Sequence, residues 1–90
     1  MKITIDVTQE DINKGIKTDV SRCPVAKALR RAIEDAKNVS VGNKLTFNLQ
    51  GVLYYADVPL KILEFINKFD SEGKKAVKPT KAVVNFKTPP

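Results

Sequence analysis

Two periodicities run through this chain. From Lys2 to Val7 apolar and polar residues alternate one by one. Ile3, Ile5 and Val7 take one side and Lys2, Thr4 and Asp6 the other, which predicts a strand with one buried face. The same alternation returns at Leu45, Phe47 and Leu49, set between Lys44, Thr46, Asn48 and Gln50. Val84 and Phe86 repeat it within a last strand over Ala82–Lys87. Shorter strands are expected at Val39–Val41 and Val52–Ala56, with turn chemistry at Gly42-Asn43 and Gly51.

The helical period is clearest from Ser21 to Lys37, SRCPVAKALRRAIEDAK. On a helical wheel Val25, Ala28, Leu29, Ala32, Ile33 and Ala36 share one arc, with Ala26 at its edge. Lys27, Arg30, Arg31, Glu34, Asp35 and Lys37 share the other. Pro24 suits the first helical position, which puts Cys23 at the N-cap, and Asn38 suits the C-cap. Arg30–Glu34 and Arg31–Asp35 are spaced to pair along such a helix. Thr8 with Asp11 resembles a capping box and predicts a short helix stopping at Gly15, with Ile12 and Ile16 inward. A third helix is expected from about Pro59 to Phe69, its inner arc formed by Ile62, Leu63, Phe65, Ile66 and Phe69. This order predicts a single α+β domain over residues 1–90. Its sheet is mostly antiparallel, of four to five strands, with two main helices on one face.

Composition narrows the function classes. A 90-residue chain that is 42% hydrophobic and 29% charged has enough apolar surface for one thin core. The single Cys23 excludes an intrachain disulfide and fits a reducing compartment. No apolar run nears the roughly 20 residues of a membrane span, and the N-terminus has no signal-peptide core, so a cytoplasmic location is expected. The net charge is +6, and residues 73–90 carry Lys74, Lys75, Lys78, Lys81 and Lys87 without an acid. Such a segment suits phosphates or an acidic protein, but a solvated strand kept from edge-to-edge pairing by its lysines is the more ordinary reading.

The absence of histidine removes imidazole catalysis, Cys–His pairs and His-based metal sites. The glycines are isolated, so no phosphate loop or dinucleotide fingerprint is present. The acid pairs Glu10-Asp11 and Glu34-Asp35 read as diverging helix-surface charges. The expectation is therefore a binding protein, not an enzyme, with no cofactor and no metal. Six residues are candidates for binding: Arg22, Cys23, Lys27, Arg31, Tyr54 and Tyr55. Cys23 beside Arg22 at a helix start fits a packed structural residue, an anion site or an activated thiol, the first being the most ordinary. Lys27 and Arg31 belong to a basic helix face that reads first as solvated and second as a phosphate track. Tyr54 and Tyr55 must point to opposite sides of their strand, so one of them can serve a partner.

Three segments together resemble a known group: VTQEDINKG, SRCPVAKAL and VPLKILEFINKFDSEGKKAVKP. They are similar to small proteins encoded by tailed bacteriophages and prophages. That group shares a Thr-Gln-Glu opening, a Ser-x-Cys-Pro-Val-Ala-x-Ala-Leu helix start and a Phe-Ile-x-x-Phe-Asp helix. This chain departs from the pattern at Lys27, where the group has alanine, and in its more basic C-terminal segment. The resemblance carries no catalytic signature and no site residues. It implies an accessory protein in a bacterial host cytoplasm that binds and modulates a host macromolecule, host defence systems being one target class. A host protein is the expected partner. The alternative is a nucleic-acid or anionic-ligand binder using the basic surface and the Cys23 helix start, with weak nucleic-acid affinity and no membrane.

Overall fold

A computed structural model describes all 90 residues, Met1–Pro90. Strand β1 (Lys2–Val7) leads into helix α1 (Gln9–Lys14), and a polar connector reaches helix α2 (Pro24–Ala32). Strands β2 (Lys37–Val41), β3 (Lys44–Leu49) and β4 (Val52–Asp57) then form a meander. Helix α3 (Leu60–Glu72), a 3₁₀ turn (Lys74–Ala76) and strand β5 (Thr80–Asn85) complete the chain. Strand β5 returns to pair antiparallel with β1, matching Ile3 with Val84 and Ile5 with Ala82.

The predicted α+β class and antiparallel pairing are observed, but the five strands form two sheets, β1-β5 and β2-β3-β4. These meet at one bridge, where Tyr55 and Lys87 exchange both backbone hydrogen bonds at 2.9 and 2.8 Å. Behind that seam the core is continuous. Phe86 meets Phe47 edge-on, with ring centroids 4.9 Å apart, tying the two sheets together from inside. Ile5, Val7, Leu45 and Val84 supply the rest of the inner sheet surface. Helix α2 contacts both outer strands, β1 and β2, while α3 packs on β5. The Cα radius of gyration, 12.2 Å, matches the ~12 Å of a compact chain of this length. No helix is long and apolar enough to cross a membrane.

Local chemistry explains most element boundaries. Thr8 and Asp11 form the expected capping box: the Asp11 amide donates to Thr8 Oγ1 at 3.2 Å, and the Thr8 amide donates to Asp11 Oδ2 at 2.9 Å. Gly15 ends α1, though not through a left-handed conformation, since its φ is −69°. A Cβ there would lie 2.5 Å from both Cγ and Cδ of Pro24 and 2.8 Å from the Asp11 carbonyl. The glycine is needed because α1 and α2 meet at that point. The β3–β4 hairpin turns on Gln50 and Gly51, both with positive φ (52° and 79°), as a tight two-residue turn requires.

Several expectations from the sequence are overturned. Helix α2 stops at Ala32, not Lys37, with Ile33 extended at φ −126° as its C-cap. Ile33 stays buried, so the apolar arc is satisfied by a strand-like residue after the helix. Asp35 and Asn38 adopt left-handed φ (67° and 54°), and Asn38 belongs to β2 instead of capping the helix. Glu34 and Asp35 thus leave the helix face, and the pairs Arg30–Glu34 and Arg31–Asp35 do not form. Ile16 lies beyond α1 and is exposed, and Leu63 on α3 faces solvent where Ile62, Phe65 and Phe69 take the inner arc. Asp11, read as a surface charge, is buried.

Candidate functional site

The six candidates from the sequence do not gather at one place. Arg31 is committed to the fold: its Nη1 donates to Asp11 Oδ1 and its Nη2 to Asp11 Oδ2, both at 2.7 Å. Nη2 also donates to the Asp6 carbonyl at 2.7 Å, tying the end of β1 to α1 and α2. Burial pushes the Asp11 carboxyl up, but the Arg31 and Thr8 hydrogen bonds outweigh it and hold it below the ordinary carboxylate value. Arg30 turns the other way and donates to the Ser21 carbonyl. Lys27, half-buried, makes no ion pair. The basic helix face of the sequence reading is thus broken up, because Arg31 turns to α1 and the end of β1 while Arg30 turns to the connector before α2.

The Cys23 corner is organised around Asp19. Arg22 Nε donates to Asp19 Oδ2 at 2.8 Å, while Asp19 Oδ1 accepts from the amides of Ser21 and Arg22. Asp19 and Asp70 line the hollow beside Cys23, so the local charge opposes an anionic ligand. Cys23 is the N-cap, yet its thiol makes no capping hydrogen bond. Burial pushes that thiol above its ordinary value, the amides of Ala26 and Val25 pulling only weakly the other way. This is a packed structural cysteine, the opposite of an activated one.

The tyrosines diverge as their sequence positions require. Tyr54 turns inward, half-buried, and stacks on Phe47 at 5.1 Å and 10°. Tyr55 points outward at the seam, opposite Thr46 on β3 and Lys87 beyond β5. It is the centre of the sheet face that carries no helix. On that face Val83, 62% exposed, sits opposite Thr4, and Leu53 stands out beside Asn48. Lys2, Lys44, Lys81 and Lys87 surround these residues, with Asp57 held by Lys44 and Asp6 placed across from Lys81.

Beyond the Tyr55–Lys87 bridge β4 and β5 separate, leaving a groove of about 410 Å³. Tyr55 and Val83 form its walls, Ala56 and Val84 its floor, and Lys44 and Lys87 its rim. The arrangement offers an aromatic ring, apolar contacts and ammonium groups, with the Asp57 carboxylate at its edge paired to Lys44. No group of acidic or thiol side chains that would hold a metal ion is present. Neither Leu53 nor Val83 stood out in the sequence, because only the strand register shows which side of each strand is bare. Comparison with protein-family models, curated proteins and solved structures gave no match to this chain.

Proposed function

We propose that this protein is a small accessory domain that binds and modulates a host protein through its uncovered sheet face. The observation that supports it is Tyr55 on a face no helix covers, with Val83 lining the same groove, Leu53 two residues back along β4, and lysines around them. A central aromatic with apolar neighbours and a charged rim is the anatomy of an interface hot spot. The lysine ring favours a partner surface that is acidic around an apolar centre. One outward aromatic is too few for the stacking platform by which open sheets hold single-stranded nucleic acid, so a protein partner fits this face better. The phage resemblance supports the same role.

Photocrosslinking tests it. With benzoyl-phenylalanine at position 55, irradiation in bacterial lysate should trap one host protein. Purified, that protein should bind wild type and lose at least about tenfold affinity to Tyr55→Ser or Val83→Asp, as expected for hot-spot residues. Leu60→Ser, on exposed α3 surface, should leave affinity unchanged. The reverse pattern, loss with Leu60→Ser and none with Tyr55→Ser, rejects this face as the binding surface.

A further inference from the structure

A second basic region of the molecule lies between α3 and the start of β5. Helix α3 and the segment between it and β5 enclose a groove of about 340 Å³, with Phe65 and Val77 at its base. Lys61 and Lys68 line it from the helix and Lys78 from the opposite wall, with Glu64 its one acid. Lys74 and Lys75 sit on the 3₁₀ turn beside it. The fold holds this arrangement in place. Gly73, at φ 93°, reverses the chain at the end of α3, and Lys61 Nζ donates to the Lys81 carbonyl at 2.9 Å.

Most lysines around this groove have no partner within the fold. The four ion pairs of the molecule use Lys14, Arg22, Arg31 and Lys44. Lys68, Lys74, Lys75 and Lys78 form neither an ion pair nor a side-chain hydrogen bond. Like charges crowded around one groove repel one another, and a polyanion relieves that repulsion while releasing its own counterions.

We infer that this groove is a sequence-independent grip for the phosphate backbone of nucleic acid. Lys61 and Lys68 are two helical turns apart on one side of α3, an axial separation of about 10 Å. Ammonium groups act as point charges toward phosphate and hold a backbone without the fixed geometry that a planar arginine fork imposes. No exposed aromatic side chain lines the groove to stack or read bases, so affinity follows charge and not sequence. The grip stands apart from the sheet face and does not depend on the partner proposed there.

Fluorescence anisotropy with a labelled duplex of arbitrary sequence tests it across a salt series. Binding in the micromolar range at low salt is expected, with log K falling against log salt at a slope of about −3 to −4. Lys68→Gln/Lys75→Gln/Lys78→Gln, which removes no contact of the fold, should flatten that slope by about 2 to 3. Tyr55→Ser should leave it unchanged. Amide NMR shifts on adding duplex should cluster over Leu60–Thr80. Absence of salt-dependent binding, an unchanged slope in the triple variant, or equal affinity for polyglutamate of matched charge would each overturn the assignment.

Discussion

The corner where β1, α1 and α2 meet and the seam between β4 and β5 are built on opposite principles. At the corner, polar groups are turned on each other. Asp11 is shared between Thr8 and Arg31, Arg31 also holds the Asp6 carbonyl, and Gly15 lets Pro24 close against α1. At the seam one backbone bridge joins two sheets over the Phe47–Phe86 contact, and the side chains on its outer face, Tyr55 and Lys87, point away from the core. The corner spends its chemistry on the fold. The seam keeps its own for something outside the molecule. In a 90-residue domain with a thin core, a loosely stitched face is affordable only because another region is tied down.

Removing the corner's central carboxylate should break that division most. Asp11→Ala deletes the ion pair and half of the capping box, an expected loss of about 2–3 kcal/mol by urea unfolding, with Arg31's partial exposure keeping it below the figure for a fully buried pair. The effect is pH-dependent in a defined direction. Because the folded carboxyl lies below its ordinary value, its contribution is complete above the unfolded pKa of about 3.9. That contribution is lost as pH falls through the folded value. Wild type should therefore lose stability more steeply than Asp11→Ala below about pH 4, the two curves converging.

Gly15→Ala should follow, at about 1–3 kcal/mol, since the new methyl meets the Pro24 ring and the Asp11 carbonyl. A melting temperature equal to wild type would show that α1 and α2 can part there at no cost. The smallest effect belongs to the seam and sharpens the contrast. The amides of Tyr55 and Lys87 should exchange with solvent at least about tenfold faster than those of Ile5 or Leu45, since a single bridge opens without the rest of the sheet. Equal protection would mean that the two sheets behave as one.

The sequence foretold those features whose causes are local. Alternation of apolar residues placed β1 and β3, the reversal at Gly51 placed β4, and the Thr8–Asp11 spacing placed a capping box that is present in the structure. The last strand was expected over Ala82–Lys87 but runs Thr80–Asn85. Consecutive positions alone sent Tyr54 and Tyr55 to opposite faces. Those readings need only the two-residue pleat and the first turn of a helix.

Tertiary structure decided where long side chains found their partners. Arg31 was spaced for Asp35 but reaches Asp11, twenty residues earlier in the chain, where a capped and buried carboxylate binds it with two parallel bonds. Once Ile33 enters the core as an extended residue, α2 ends and Asp35 turns away. No glycine or proline marks that stop, so no local signal announced it. The bare face is likewise a property of the assembled sheet. Leu53 and Val83 lie thirty residues apart, and only the strand registers bring them to the same side as Tyr55. Local rules set which residues alternate, whereas pairing between distant strands sets which of them remain for a partner.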